Sequence, residues 1–173
     1  SIEDFIKLLD EYGCKCYFSG EHGYPGEWLH VYNVCNDTKK DDVRAKLGIS
    51  NPITFRYSVE AYWVKDADAV FQEEYEDKKT GEKKVREKKD NTNCHMVIVA
   101  RTYNAMRKLN YILSCAHDTG FYYKPRIDLK SLFTLNKDEV YITSACIAGW
   151  KYEDATEVWL KIWQHFGDSF FLE

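Results

Sequence analysis

Two hydrophobic periodicities alternate along this chain of 173 residues. Residues 1–12 open on serine, carry acids at Glu3 and Asp4, and set Ile2, Phe5, Ile6, Leu8 and Leu9 at helical spacing, which predicts an N-capped amphipathic helix. Gly13 ends it, and residues 15–18 read as a short strand. After a loop over 20–26 with three glycines and a proline, residues 27–35 predict a helix, and a polar break leads to a second helical piece over 41–47. Residues 53–64, rich in β-branched and aromatic side chains, predict the longest strand.

Residues 65–93 interrupt that rhythm. Over 73–90 nearly every side chain is charged, with Thr80-Gly81 as the turn, the pattern of a solvated hairpin or mobile loop without chemistry of its own. An apolar strand follows over 95–100, then a helix over 102–116 with Met106, Leu109, Ile112 and Leu113 at helical spacing. Residues 140–144 predict another strand, 154–166 a helix with Ala155, Val158, Trp159, Ile162 and Trp163 on one face, and 170–172 the start of a last strand. Repeated strand-then-helix units imply an α/β fold of parallel strands, either a doubly wound sheet or a barrel.

The length suits one domain, and 45% hydrophobic and 16% aromatic content place the chain among globular proteins. With 24 basic against 28 acidic residues, net −4, the overall charge argues against broad nucleic-acid binding, so any such contact is local. Six cysteines are spread without a CxxC pair, which excludes a zinc knuckle. With no apolar run near about 18 residues and no signal peptide, the reading is reduced thiols in a cytoplasmic protein that does not enter a membrane.

In βα-repeat folds, functional groups gather in the loops at the carboxyl ends of strands. Four groups meet that rule. His22 lies between glycines after the first strand, Glu60 inside an apolar strand, His95 at the mouth of MVIVA, and Cys146 in the turn SACIAG. Each alone has a plainer role: a hydrogen-bonded histidine, a glutamate facing solvent or Arg56, a cysteine packed as a small hydrophobe. Together, imidazole, carboxylate and thiolate suit zinc or manganese. His30, His117 and His165 fall in helical stretches and read as structural or surface residues. The stretch FYYKPRID, residues 121–128, reads either as a nucleic-acid patch, with Lys124 and Arg126 for phosphate, or as a packed corner in which Pro125 holds Lys124 extended.

From residue 93, NCHMVIVARTYNAMRKLNYILSCAHDTGFYYKPRIDLKSLF, then VYITSACIAGW and FGDSFFLE, resemble the PHP (polymerase and histidinol phosphatase) domain that opens bacterial and phage DNA polymerase III alpha subunits. SIEDFIKLLDEYGCKCYFSGEHG and SVEAYWV resemble its earlier part more loosely. The resemblance implies a distorted, parallel, TIM-like βα barrel holding up to three zinc or manganese ions. The family's metal-binding positions fall on His22, Glu60, His95 and Cys146. Glu21 stands beside them where the family has aspartate, and Arg126 is the one side chain of the corner implied to meet substrate.

The implied activity is that of a metal-dependent phosphoesterase or 3′–5′ proofreading exonuclease within a DNA-directed DNA polymerase. The alternatives are a catalytically inactive module bracing the polymerase and a free-standing phosphatase, against which the YYKPRID corner argues. The family's opening H-x-H and closing D-x-H pairs are absent from these residues. Residues 1–173 therefore resemble the middle of a barrel, one partial domain with a charged insertion at about 65–93. The expected partners are the remaining polymerase segments, primer–template DNA through the complete protein, and a second copy of the chain, which by itself is expected to be a poor nuclease.

Overall fold

In the computed structural model, which describes residues 1–18, 20–36, 43–49, 51 and 53–173, Ser1 caps the first helix. Its hydroxyl accepts the N–H of Asp4 at 3.3 Å and donates to the Asp4 carboxylate at 3.0 Å, a cap that stabilises by about 1 kcal/mol. Helix α1 (Ile2–Glu11) leads into β1 (Cys16–Phe18), α2 (Trp28–Asn36), α3 (Val43–Leu47) and β2 (Thr54–Arg56). Ile6 of α1, Val31 and Val34 of α2, and Ile49, Ile53 and Phe55 bury one another in a first core. The polar break and residues 41 and 42 of the second predicted helical piece lie outside the described residues.

The remainder builds a larger unit. In chain order it comprises β3 (Ser58–Val64), β4 (Val70–Glu76), β5 (Lys83–Lys89), β6 (Cys94–Ala100), α4 (Tyr103–Asp118), β7 (Phe121–Tyr122), β8 (Lys124–Asp128), α5 (Leu129–Leu132), β9 (Val140–Thr143), a 3-10 turn (Ile147–Trp150), α6 (Ala155–Phe166) and β10 (Phe170–Phe171). Six of these strands form one sheet in the order β10-β9-β6-β3-β8-β7. Side chains alternate across a strand, so Val59, Ala61 and Trp63 of β3 and Cys94, Met96 and Ile98 of β6 enter the core with Leu109 of α4 and Val158 and Ile162 of α6. The same alternation leaves Glu60, Tyr62, His95 and Val97 on the opposite face.

Strand direction corrects the sequence reading. The sheet is mixed: β3 pairs with β6, and β6 with β9, in antiparallel fashion, whereas β3–β8 and β9–β10 are parallel. A parallel return needs a crossover of a dozen or more residues, usually a helix. Between β3 and β6 the chain instead makes the β4–β5 hairpin, which brings it back to the end of the sheet it left. That hairpin is the charged block, laced by Arg86 and Lys88 on Glu73 and by Lys84 on Asp77. The single strand expected over 53–64 is also divided, at Tyr57, whose hydroxyl donates to Asn110 of α4 while its carbonyl accepts the N–H of Ala100 at 2.8 Å.

Candidate metal centre

One edge of β3 is shared between two segments, and this places the site. The β1 strand pairs with β2, and the chain beyond it makes a single parallel bridge from His22 to Glu60; further along, β8 takes over, with Arg126 opposite Tyr62. The N–H of Glu60 donates to the carbonyl of Glu21 at 2.9 Å, and the N–H of Gly23 donates to the carbonyl of Glu60 at 2.8 Å. The His22 loop is thereby fixed to Glu60 on both sides. Gly23 has φ +78, and a Cβ there would lie 3.1 Å from Tyr62 and 3.2 Å from Pro125, so both backbone and space favour glycine. His117 of α4, which reads from the sequence as a structural or surface residue, bonds the carbonyl of Gly23 at 3.2 Å and steadies the loop from behind.

His22, Glu60 and His95 each offer a ligand atom, and the three atoms lie within 4.8 Å of one another. Glu60 is central: Oε1 is 2.7 Å from His95 Nδ1 and Oε2 is 3.3 Å from His22 Nε2. Cys146 stands beside this group from the turn after β9, with Sγ 3.5 Å from His95 Nδ1 and 4.0 Å from Glu60 Oε1. The side chains of Glu60 and His95 are 14% and 17% exposed and that of His22 is 59% exposed, so the cluster opens to solvent on the His22 side. All four groups singled out in the sequence are brought together.

Two indoles brace the strand ends that carry these groups. Trp63 Nε1 donates to the carbonyl of His95 at 3.1 Å, and Trp159 Nε1 donates to the carbonyl of Gly149, also at 3.1 Å. Gly149 lets the Cys146 turn settle against the sheet, because a Cβ there would stand 2.5 Å from the carbonyl oxygen of Ser144 and 3.0 Å from that of His95. Among the described residues, the non-glycine positions at positive φ are Asn93 (46), Tyr123 (61) and Ala145 (53). Asn93 lies two residues before His95 and Ala145 one before Cys146. Left-handed backbone costs about 1–2 kcal/mol for residues with a Cβ, and it recurs where a site fixes geometry.

Glu21 and Arg126 do not join the cluster through their side chains. The Glu21 carboxylate accepts the N–H groups of Gly26 and Glu27 ahead of α2, so its link to the site is its backbone carbonyl on Glu60. Arg126 is 1% exposed, and its guanidinium donates to the carbonyls of Gly120 at 2.8 Å, Asp90 at 2.6 Å and Ala67 at 3.0 Å. Its expected role as a substrate-binding side chain gives way to that of a tie joining α4, the root of the β4–β5 hairpin and β8. Beside it, the Tyr152 hydroxyl donates to Asp90, and burial raises the Tyr152 phenol well above its ordinary value. Burial also pushes the Asp90 carboxyl up, but hydrogen bonds from Thr92 and Tyr152 outweigh it and hold that group below the usual aspartate value.

Sequence reasoning missed Tyr62. Its ring meets His95 edge-on at 5.2 Å between centroids and lies 6.2 Å from His22. The signal was available, since Tyr62 follows Glu60 by two positions in a strand and must share its face.

The sequence profile of the family described as "PHP domain" matches residues 1–173. DNA polymerase III subunit alpha of Aquifex aeolicus is 27% identical over 180 residues, covering 99% of this chain and 14% of that protein. DNA polymerase III subunit alpha of Borreliella burgdorferi is 32% identical over 87 residues, covering 46% of this chain and 8% of that protein. The chain thus spans a small fraction of the length of these relatives.

Proposed function

Because the chain belongs to the PHP domain family, we propose that it is the PHP portion of a bacterial or phage DNA polymerase III alpha subunit, with a metal-dependent phosphoesterase or 3′–5′ proofreading exonuclease centre. The mixed sheet is then part of a PHP-type βα barrel, in a cytoplasmic replication protein. The observation that carries the reading is the convergence of His22, Glu60 and His95, with Cys146 alongside. A donor set of two imidazoles, a carboxylate and a thiol fits zinc, and its nitrogen and oxygen members fit manganese.

His22 Nε2, His95 Nδ1, the two Glu60 oxygens and Cys146 Sγ are the atoms that would hold the ions. A bound divalent ion supplies hydroxide at neutral pH and offsets the charge that develops on a phosphodiester. The chain's own contribution is orientation: the Glu60 carboxylate faces one imidazole with each oxygen, the His22 loop is bonded to Glu60 on both sides, and Trp63 fixes the backbone of His95.

The remaining polymerase segments are the expected partner. An outward groove of about 580 Å³ supports this, lined by Trp150, Leu160, Trp163 and Phe171 beside β10, because apolar surface of that kind favours coverage by further polypeptide. The same groove favours the second reading, an inactive module that braces the polymerase. The deciding experiment is release of nucleotides from a mismatched primer end by the complete subunit with added manganese. Release that disappears on changing His22 and His95 together to alanine supports the nuclease, and no release from the intact subunit supports the brace.

A further inference from the structure

The strand that carries Arg126 into the interior also carries Lys124 toward the metal centre. Lys124 lies two positions before Arg126 on β8, hence on the same face of the strand, and Arg126 pairs in parallel register with Tyr62. The Lys124 ammonium sits 5.1 Å from the centroid of the Tyr62 ring, the ring that in turn abuts His95 and faces His22. Lys124 is exposed, and among the described residues the carboxylates in ion pairs are matched to other cations. A cation held over an aromatic face keeps its remaining donors outward while its stem is restrained.

The backbone supports this placement at some cost. β7 and β8 pair as a tight reversal, Phe121 with Pro125 and Tyr122 with Lys124, and the one residue between them, Tyr123, has φ 61. A bulky side chain at positive φ is a rare arrangement that the surrounding structure must enforce. Its effect here is to turn the chain so that Lys124 lies over Tyr62. Pro125 fits against Gly23 of the His22 loop, so the reversal and the metal loop are fitted to each other.

We propose that Lys124, seated on Tyr62, is the phosphate-binding side chain of this centre and takes a nucleotide phosphate adjacent to the His22, Glu60 and His95 group. The proposal rests on the metal-centre reading for its location, and Lys124 itself lies outside the ligand set. An ammonium contributes a point charge with three donors, suited to a non-bridging phosphate oxygen whose approach angle varies.

The test is the affinity of thymidine 5′-monophosphate for the full chain in manganese, measured by calorimetry, together with manganese content. Lys124→Ala should weaken nucleotide binding by about tenfold, the scale of one charge-assisted hydrogen bond, with manganese content unchanged. Lys124→Arg should restore most of the affinity, and the wild-type affinity should fall with added salt. Equal affinity in Lys124→Ala and wild type, or no nucleotide binding by wild type, overturns the proposal. A wild-type chain that takes up no manganese defeats the metal-centre reading instead, and the Lys124 comparison is then decided in metal-free protein by the same criterion.

Discussion

Glu60 Oε1 lies 2.7 Å from His95 Nδ1, yet the two residues are not cross-strand partners: Glu60 is opposite Val97 and His95 is opposite Tyr62. The contact is a diagonal across two antiparallel strands, within reach of long side chains on a shared face. It leaves the second Glu60 oxygen for His22. A metal held there joins the first core's loop to the central sheet, so its binding should be visible as stability. Manganese at a hundred times its dissociation constant should add about 2.7 kcal/mol, a rise in Tm of roughly 5–10 °C for a chain of this length. Glu60→Gln should abolish the rise. Thermal scans with and without manganese check this, and an equal rise in both proteins would place the ion elsewhere.

Gly23→Ala should act on stability and metal affinity together. The methyl group would occupy a left-handed position against Tyr62 and Pro125. The expected loss is about 1–2 kcal/mol, read as a lower Tm, with weaker manganese uptake because the carbonyl and N–H that hold His22 beside Glu60 must shift. Undiminished metal affinity in the variant would show that the loop does not set the site.

Arg126→Lys should fail as a conservative change. A lysine cannot fork to three carbonyls, and the ones left unsatisfied near a buried charge should cost about 2–4 kcal/mol. Urea unfolding measures the loss. Nucleotide affinity of the fraction that remains folded should match wild type, since the guanidinium bonds only backbone.

Acid should weaken the root of the hairpin. Asp90 is held below its ordinary value of 3.8, so its contribution is fully present above that value and is lost as pH falls through the lower value it has in the folded chain. Asp90→Asn should therefore be less stable than wild type at neutral pH, and the difference should shrink once the pH passes below about 4. Urea midpoints across that range check the sign. A gap that widens in acid would mean that Tyr152 and Thr92 do not stabilise the charged form.

Features set by near neighbours were legible in the sequence. Ser1 caps its helix as the pattern implied, and Thr102 caps α4 in the same way, accepting the N–H of Ala105 at 3.1 Å. The four residue types that gather at the site were legible from chemistry and position. Strand direction was not: the charged block read as a hairpin or loop, but its composition does not say at which end of the sheet the chain re-enters, and that decides whether β6 runs parallel or antiparallel to β3. The role of Arg126 was hidden for a related reason: its acceptors are carbonyls of residues 67, 90 and 120, and backbone acceptors carry no signature in side-chain identity. The short α5 passed unnoticed although Asp128 caps it by accepting the N–H of Ser131 at 2.7 Å.

Asn93, Tyr123 and Ala145 share a backbone state that glycine would adopt with less strain, and they precede His95, Lys124 and Cys146 by one or two positions. Glycine at 123 or 145 would relieve up to about 1 kcal/mol in the folded chain while widening the conformations open to the side chain that follows. Breeding this domain for heat tolerance alone would thus favour changes at those places and blunt the centre they frame. Any stabilised version is best sought in the first core or along the β4–β5 hairpin, where rigidity and chemistry do not compete.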